Sequence, residues 1–364
     1  MSEHCVALLG RPDQPTDAVE EYCRYLSEAL RPHNFVLEVA RVNWAERGWP
    51  TALSELRQSP RGWRGHWVLL QYTALAWSRR GFPLGFLRVV HALRHAGARI
   101  GVVYHDARPH IGTRLIDLMR RTVQRNTMRR AFLASELIVL TVPLENLAWL
   151  PADKHRAVFI PVGANLPSDN DSTKPHESGT APTIAVFGIT GGEAGRQETE
   201  AIIEAVRLAS KTTAKLRLQA FGRGADLREN RLREGLQDLP IQLEVSGIIS
   251  PVEITGKLSS SDVLLFVRGA ISTRRGSAIA GIACGLPVVA YAGSETAAPI
   301  TEAGVVLVSE GRTGELGEAL TRVLSDQPYR KALAEKSRAA YESYFSWPTI
   351  AARYAEALRA MPRS

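Results

Sequence analysis

A chain of 364 residues, 45% of them apolar, carries enough hydrophobic material for two cores of ordinary size and is long for one. Its three cysteines, Cys5, Cys23 and Cys284, are too few and too scattered for a disulfide framework or a zinc cluster, and read as core thiols in a reducing compartment. The net charge is +8, no apolar run approaches the about 18 residues of a membrane span, and the N-terminus MSEHCVALLG has an acid where a signal peptide needs positive charge, so a cytoplasmic protein is expected.

In chain order, strand HCVALLG precedes an amphipathic helix from Ala18 to Leu30, in which Val19, Tyr22, Leu26 and Leu30 share one face and Asp17 supplies the cap. Strands FVLEVARV, HWVLLQY, ARIGVVYH, SELIVLTV and AVFIPV follow, with helices between Leu84 and His95 and between Thr113 and Ala134. Alternation of this kind builds a parallel sheet. Residues 166–182 lose both periodicities and turn polar and Pro/Ser/Asp-rich, which reads as a linker. The alternation then restarts with TIAVFGI, a helix from Thr199 to Ser210, LRLQAFG, IQLEVSG, DVLLFV, PVVAY and VVLV. The expected organisation is a domain over 1–165, the linker, a second α/β domain over 183–345 and a C-terminal helical segment over 346–364 returning to the first.

Charge is unevenly spread. Between Arg47 and Arg130 stand sixteen arginines against three acids, Glu55, Asp106 and Asp117, with Trp63, Trp67, Trp77, Phe82 and Phe86 interleaved. Two readings stay open: solvated helix faces such as MRRTVQRNTMRR, or a surface that docks on anionic lipid or a lipid pyrophosphate. Nucleic acid is not expected, because no recognised nucleic-acid module accompanies the charge.

Doubly wound sheets bind ligands beyond the C-terminal ends of their strands, and in the second domain those ends carry glycine and basic residues. They are Gly188 with Arg196 after the first strand, Gly222 with Arg223 after the second, Gly247 and Ile249 after the third, and Ser272-Thr273-Arg274-Arg275-Gly276-Ser277 before a small-residue helix. Backbone N–H groups at Gly276 and Ser277, the positive end of the helix dipole and two guanidinium groups would form an anion site, so a phosphate-bearing ligand is expected.

This order of turns, with SGIISPVEITGKLSSSDVLLFV and AGIACGLPVVAYAGSETAAPI, resembles the donor half of GT-B glycosyltransferases of the large retaining family four. The first half, through WVLLQYTALAWSRRGFPLGFLRVVHALRHAGARIGVVYHDARP, resembles a narrower bacterial group within it. The resemblance implies two Rossmann-like α/β domains facing across a cleft. The chemistry implied is transfer of a sugar from a nucleotide diphosphate to a glycan, lipid-linked or small-molecule acceptor, with retention, as in polysaccharide biosynthesis. It implies Arg196 and Arg223 on the diphosphate, Arg274 or Arg275 with the Gly276 and Ser277 amides, and Ser272 and Thr273, near its distal phosphate or the sugar, and the Ile249 backbone by the base. His105 is implied as a contact to the transferred sugar, with Asp106 beside it, and Gly10, Arg11 and Tyr72 as the acceptor side. No cofactor or metal is expected, the nucleotide sugar being substrate. The chain departs from the family: its pair of glutamates eight positions apart is replaced by Ser272 and Ala280, its first-loop Gly-Gly is missing, and Ile189 stands where it has Arg. Two rival readings remain, a non-catalytic scaffold that binds nucleotide sugar or anionic glycan, and a sugar-nucleotide epimerase of the same architecture.

Overall fold

The structure, a computed structural model, describes residues 2–59, 62–167, 181–213 and 215–361. The chain divides into two units, the first Met1–Pro161 with Trp347–Ser364 and the second Val162–Ser346. Most of the linker expected over 166–182, including Asp169 and Asp171, lies outside the described residues.

Unit one holds six strands, β1 Glu3–Leu9, β2 Phe35–Arg41, β3 Trp67–Tyr72, β4 Arg99–Tyr104, β5 Leu137–Leu140 and β6 Ala157–Phe159. They pair in the order β2-β1-β3-β4-β5-β6, all parallel. Buried on both faces, β3 and β4 read as continuous apolar runs because helices cover each side. The Ala18–Leu30 helix starts at Asp17, whose carboxylate accepts from Val19 N and Glu20 N at 3.2 Å each. It turns Tyr22, Cys23, Leu26 and Leu30 inward. The Trp347–Ala360 helix packs on it: Trp347 stacks on Tyr25 with centroids 5.5 Å apart, and the buried hydroxyls of Tyr22 and Tyr354 bond at 2.9 Å.

Unit two repeats the plan with β7 Thr183–Phe187, β8 Leu216–Phe221, β9 Ile241–Val245, β10 Val263–Phe266, β11 Val288–Ala292 and β12 Val305–Ser309. Their order is β12-β11-β10-β7-β8-β9, again all parallel. Because β10 returns beside β7, the direction of winding reverses between them, and strand ends diverge there to leave a crevice for ligand.

Cys5 and Cys23 are buried, and burial pushes the Cys5 thiol up to about 12 and Cys284 up to about 11, which keeps them as unreactive thiols. The interleaved aromatics of the arginine-rich stretch are core rather than surface: Trp63, Trp67, Trp77 and Phe86 are buried. Those four rings therefore take no part in any docking surface, Trp67 lying on β3 and Phe86 on the helix from Leu84 to His95, while Phe82 is half-buried.

Candidate functional site

The switch point of unit two lies between the ends of β7 and β10, and Gly188 and Arg268 stand there. Gly188 has φ +80°, a conformation that favours glycine, and Arg268 Nη1 lies 3.0 Å from where a Cβ would stand. The neighbouring strand ends are laced together by backbone bonds. Gly188 N–H donates to Phe221 O at 2.7 Å, Ile189 N–H to Arg223 O at 3.0 Å, and Gly222 N–H to Gly247 O at 2.9 Å. Gly222 and Gly224 also have positive φ, and a Cβ on Gly224 would meet Ile189 O at 2.4 Å. Three loops thus form one framework at the C-terminal edge of the sheet.

The charges around it are arranged for an anion. Arg268 is half-buried, its Nε is buried without a hydrogen-bond partner among the described residues, and desolvation pulls its pKa below the ordinary guanidinium value. Glu198 opposes that shift, while the positive charge of Arg223 adds to it. Glu198 also shapes the turn, because its carboxylate accepts from Thr190 N–H at 2.6 Å. Arg228 joins from the other side, donating to Gly192 O at 2.8 Å. Arg268 thus stands in the field of a second guanidinium as well as a carboxylate, an arrangement that a bound diphosphate would stabilise.

Arg275 precedes the Gly276–Ala283 helix; it is half-buried, and its Nη2 lies 3.5 Å from where a Cβ on Gly269 would stand. Gly276 and Ser277 open the helix, whose first amides face outward. Arg274 points elsewhere, making a two-point contact with Glu295 at 2.8 and 3.4 Å. Arg196 lies on the first turns of the Gly192–Ser210 helix, two-thirds exposed and paired with Glu193. The structure therefore brings together Gly188, Gly222 and Arg223, with Arg275 beside Gly269 on the loop after β10, while Arg274 and Arg196 have acidic partners of their own.

Ser272 and Thr273 are fully buried, and the Ser272 Oγ has no partner among the described residues. Ala280 is buried as well. A carboxylate at either position would need partners for a buried charge. Ile249 is half-buried on the loop after β9, just before Ser250, which forms a capping box with Glu253.

In unit one the switch point falls between β1 and β3. Arg11 N–H donates to Ala76 O at 2.8 Å, and a Cβ on Gly10 would lie 2.3 Å from the same oxygen, so Gly10 is required by close approach of the two loops. Tyr72 is packed between Phe86 and Tyr104 in the core and presents no side chain to solvent. Its carbonyl instead accepts from His105 N–H at 3.0 Å and Asp106 N–H at 3.3 Å. His105 ends β4 with Nε2 2.8 Å from Gln71 Oε1 and its ring edge-on to Tyr22 at 5.0 Å. Although part of the residue reaches solvent, its dense surroundings desolvate the ring and lower the pKa to about 4, so the imidazole is neutral at physiological pH. Asp106 accepts from Ala74 N–H at 3.1 Å, fixing the loop beside it.

A surface crevice of about 1010 Å³ opens at the other, N-terminal edge of this sheet, lined by Glu3, Arg64, Arg94, Arg99, Glu136 and Arg156 among others. Arg99 there stacks 4.0 Å over Trp67 and bonds Glu136, and Arg156 bonds Ser135 O, so its guanidinium groups serve the strand ends.

Sequence reading missed Arg268, Glu198 and Arg228. A basic residue directly after the five-residue apolar run Val263–Val267 and directly before a glycine was the signal for Arg268.

The two parallel sheets with flanking helices define the GT-B fold, which the chain shares with solved glycosyltransferases. A glycosyltransferase from Rickettsia africae superposes with a TM-score of 0.70 at 13% identity, covering 99% of both chains. Anabaena Alr3699/HepE in complex with UDP and glucose gives 0.67 at 14% identity over 98% of this chain and 100% of that one. Sucrose-phosphate synthase from Thermosynechococcus elongatus gives 0.66 at 17% identity over 98% of each. No protein-family model matches the chain. Among curated proteins, a GDP-mannose-dependent monoacylated alpha-(1-6)-phosphatidylinositol monomannoside mannosyltransferase from Corynebacterium glutamicum is 24% identical over 207 residues, 54% of this chain and 52% of that protein. The chain thus spans about half the length of the curated relative it matches.

Proposed function

We propose that this chain is a glycosyltransferase that takes a sugar from a nucleotide-diphosphate donor held at the switch point of unit two and passes it to a glycan, lipid-linked or small-molecule acceptor. The observation that carries the reading is Arg268, whose half-buried guanidinium has its Nε enclosed and feels the positive charge of Arg223, beside glycine turns of positive φ. The curated relative, named as GDP-mannose-dependent, and the UDP complexes of the Anabaena protein support a nucleotide sugar as the donor class.

In this reading the barrier lies in the two negative charges that develop as the diphosphate leaves and in the oxocarbenium character of the anomeric carbon. Arg268, Arg223 and Arg275 with the Gly276 and Ser277 amides are donors fixed before reaction, and they stabilise the leaving group without reorganising. Transfer proceeds with retention: the acceptor attacks on the face the diphosphate leaves, and the leaving phosphate oxygen takes the acceptor's proton. That step requires neither the missing glutamates nor a metal. His105, being neutral at physiological pH, offers a hydrogen bond rather than a charge to whatever lies at the end of β4. The arginine-rich stretch of unit one would hold the enzyme, from the cytoplasm, against an anionic membrane where a lipid-linked acceptor resides.

The test is a thermal-shift series of nucleoside diphosphates and their sugars followed by turnover of the ligand that binds. A ligand that raises the melting temperature with concentration and is consumed only with acceptor supports transfer. Consumption of donor alone, with an isomeric nucleotide sugar as product, would mean epimerisation. Binding without any turnover across a broad acceptor panel would mean a scaffold.

A further inference from the structure

Of the twelve exposed large apolar side chains among the described residues, five fall within nine residues: Ile111 (78% exposed), Leu115 (81%), Ile116 (41%), Leu118 (44%) and Met119 (59%). They sit on the loop after β4 and the first turns of the Leu115–Ala134 helix. Leu115, Leu118 and Met119 are spaced i, i+3, i+4 and share one face. A surface loop ordinarily turns polar groups outward; here the polar groups are engaged inward and hold the backbone. The buried Gln124 accepts from His110 N–H at 2.6 Å and donates to Gly81 O at 2.9 Å. Arg121 donates to His110 O at 3.2 Å and Gly112 O at 3.0 Å. Asp117, the one acid of the helix, is held by His110 at 3.1 Å and Arg120 at 2.9 Å. The aliphatic side chains are left facing water on a fixed scaffold, with exposed Arg114, Arg121, Arg125, Arg129 and Arg130 along the same helix.

We propose that this segment is a membrane-insertion tip: Ile111, Leu115, Leu118 and Met119 enter the headgroup boundary of an anionic bilayer while the arginines pair with lipid phosphates. This deepens the membrane contact of the reading above, resting on that reading for its purpose but not on the transfer chemistry. Charge complementarity selects the occupant. A second copy would set the same arginines against themselves, with their one acid already engaged. An anionic bilayer offers an apolar layer under a negative surface, which matches both features at once.

The experiment is co-sedimentation of the full chain with phosphatidylcholine vesicles with and without phosphatidylglycerol, at low and high salt. Expected are binding that needs the anionic lipid and weakens with salt, and at least about tenfold weaker partitioning for the triple variant Leu115→Ser, Leu118→Ser, Met119→Ser, because three buried aliphatic contacts are lost. Arg114→Gln with Arg125→Gln should flatten the salt dependence. Unchanged partitioning of the serine variant overturns the proposal, as does self-association of the wild type that the same substitutions abolish, which would make the face a protein interface. The melting temperature and its rise with nucleoside diphosphate are read on both proteins. Since these residues lie outside the donor site, failure of the nucleotide to bind would sink the transfer reading and leave the vesicle result standing.

Discussion

An arginine that ends a buried strand needs counter-charge, and Arg268 finds Glu198 opposed by the neighbouring Arg223. Replacing it with glutamine keeps a planar donor and removes the charge. The expected loss in nucleoside-diphosphate affinity is about 1.5 to 3 kcal/mol, the range of a charge-assisted hydrogen bond; calorimetry that finds wild-type affinity in Arg268→Gln would remove it from the site. Arg275→Ala should lower kcat/KM by about 2 to 4 kcal/mol, on the scale of a single oxyanion donor, and initial rates at saturating acceptor read this. Arg274 and Arg196, with Glu295 and Glu193 as partners, should show smaller effects in the same assay. His105 gives a pH signature. Its folded pKa, about 4, lies below the ordinary histidine value, so its contribution to stability is complete above that ordinary value and is lost as pH falls through the folded one. Denaturation of wild type and His105→Gln from neutral pH to about pH 4 should show the difference between them shrinking with acid; a constant difference would mean that the ring is not desolvated.

At the scale of elements, the Trp347–Ala360 helix is joined to the Ala18–Leu30 helix by the buried Tyr22–Tyr354 hydroxyl pair. Tyr354→Phe leaves the Tyr22 hydroxyl buried and unpaired, a cost of about 1 to 3 kcal/mol, which urea denaturation should register. An unchanged midpoint would show that water or another group replaces the bond. Strand and helix alternation was legible in the sequence because parallel strands buried on both faces are apolar throughout, and helices between them keep a 3.6-residue period. The strand-end glycines were legible too, as punctuation after apolar runs. What sequence could not show is which basic side chains turn toward them. Arg274 and Arg275 are adjacent and chemically identical, yet the helix that starts at Gly276 sends one to Glu295 and the other to the loop of Gly269. Arg268 was hidden for a related reason, since only the pairing of β10 with β7 brings it beside Gly188. The aromatics of the arginine-rich stretch misled in the opposite sense: tryptophans near arginines suggested a surface, whereas Trp67 lies under Arg99 inside the sheet edge.

For the whole molecule, two Rossmann-like units in one chain account for its length, and the solved structures that superpose over nearly all of it share that plan. The resemblance visible in the sequence reached the fold through turn order and the Gly285-Leu-Pro-Val-Val strand entry, although the two acidic positions of the family are occupied by Ser272 and Ala280. The counter-charge for the diphosphate is assigned to arginine, and the account stands on that assignment. Titration calorimetry of UDP, GDP and ADP against wild type and Arg268→Gln tests it most directly. The account predicts that one diphosphate binds the wild type and loses about tenfold or more in affinity when the Arg268 charge is removed. Equal affinity for both proteins, or no diphosphate bound by either, would contradict it.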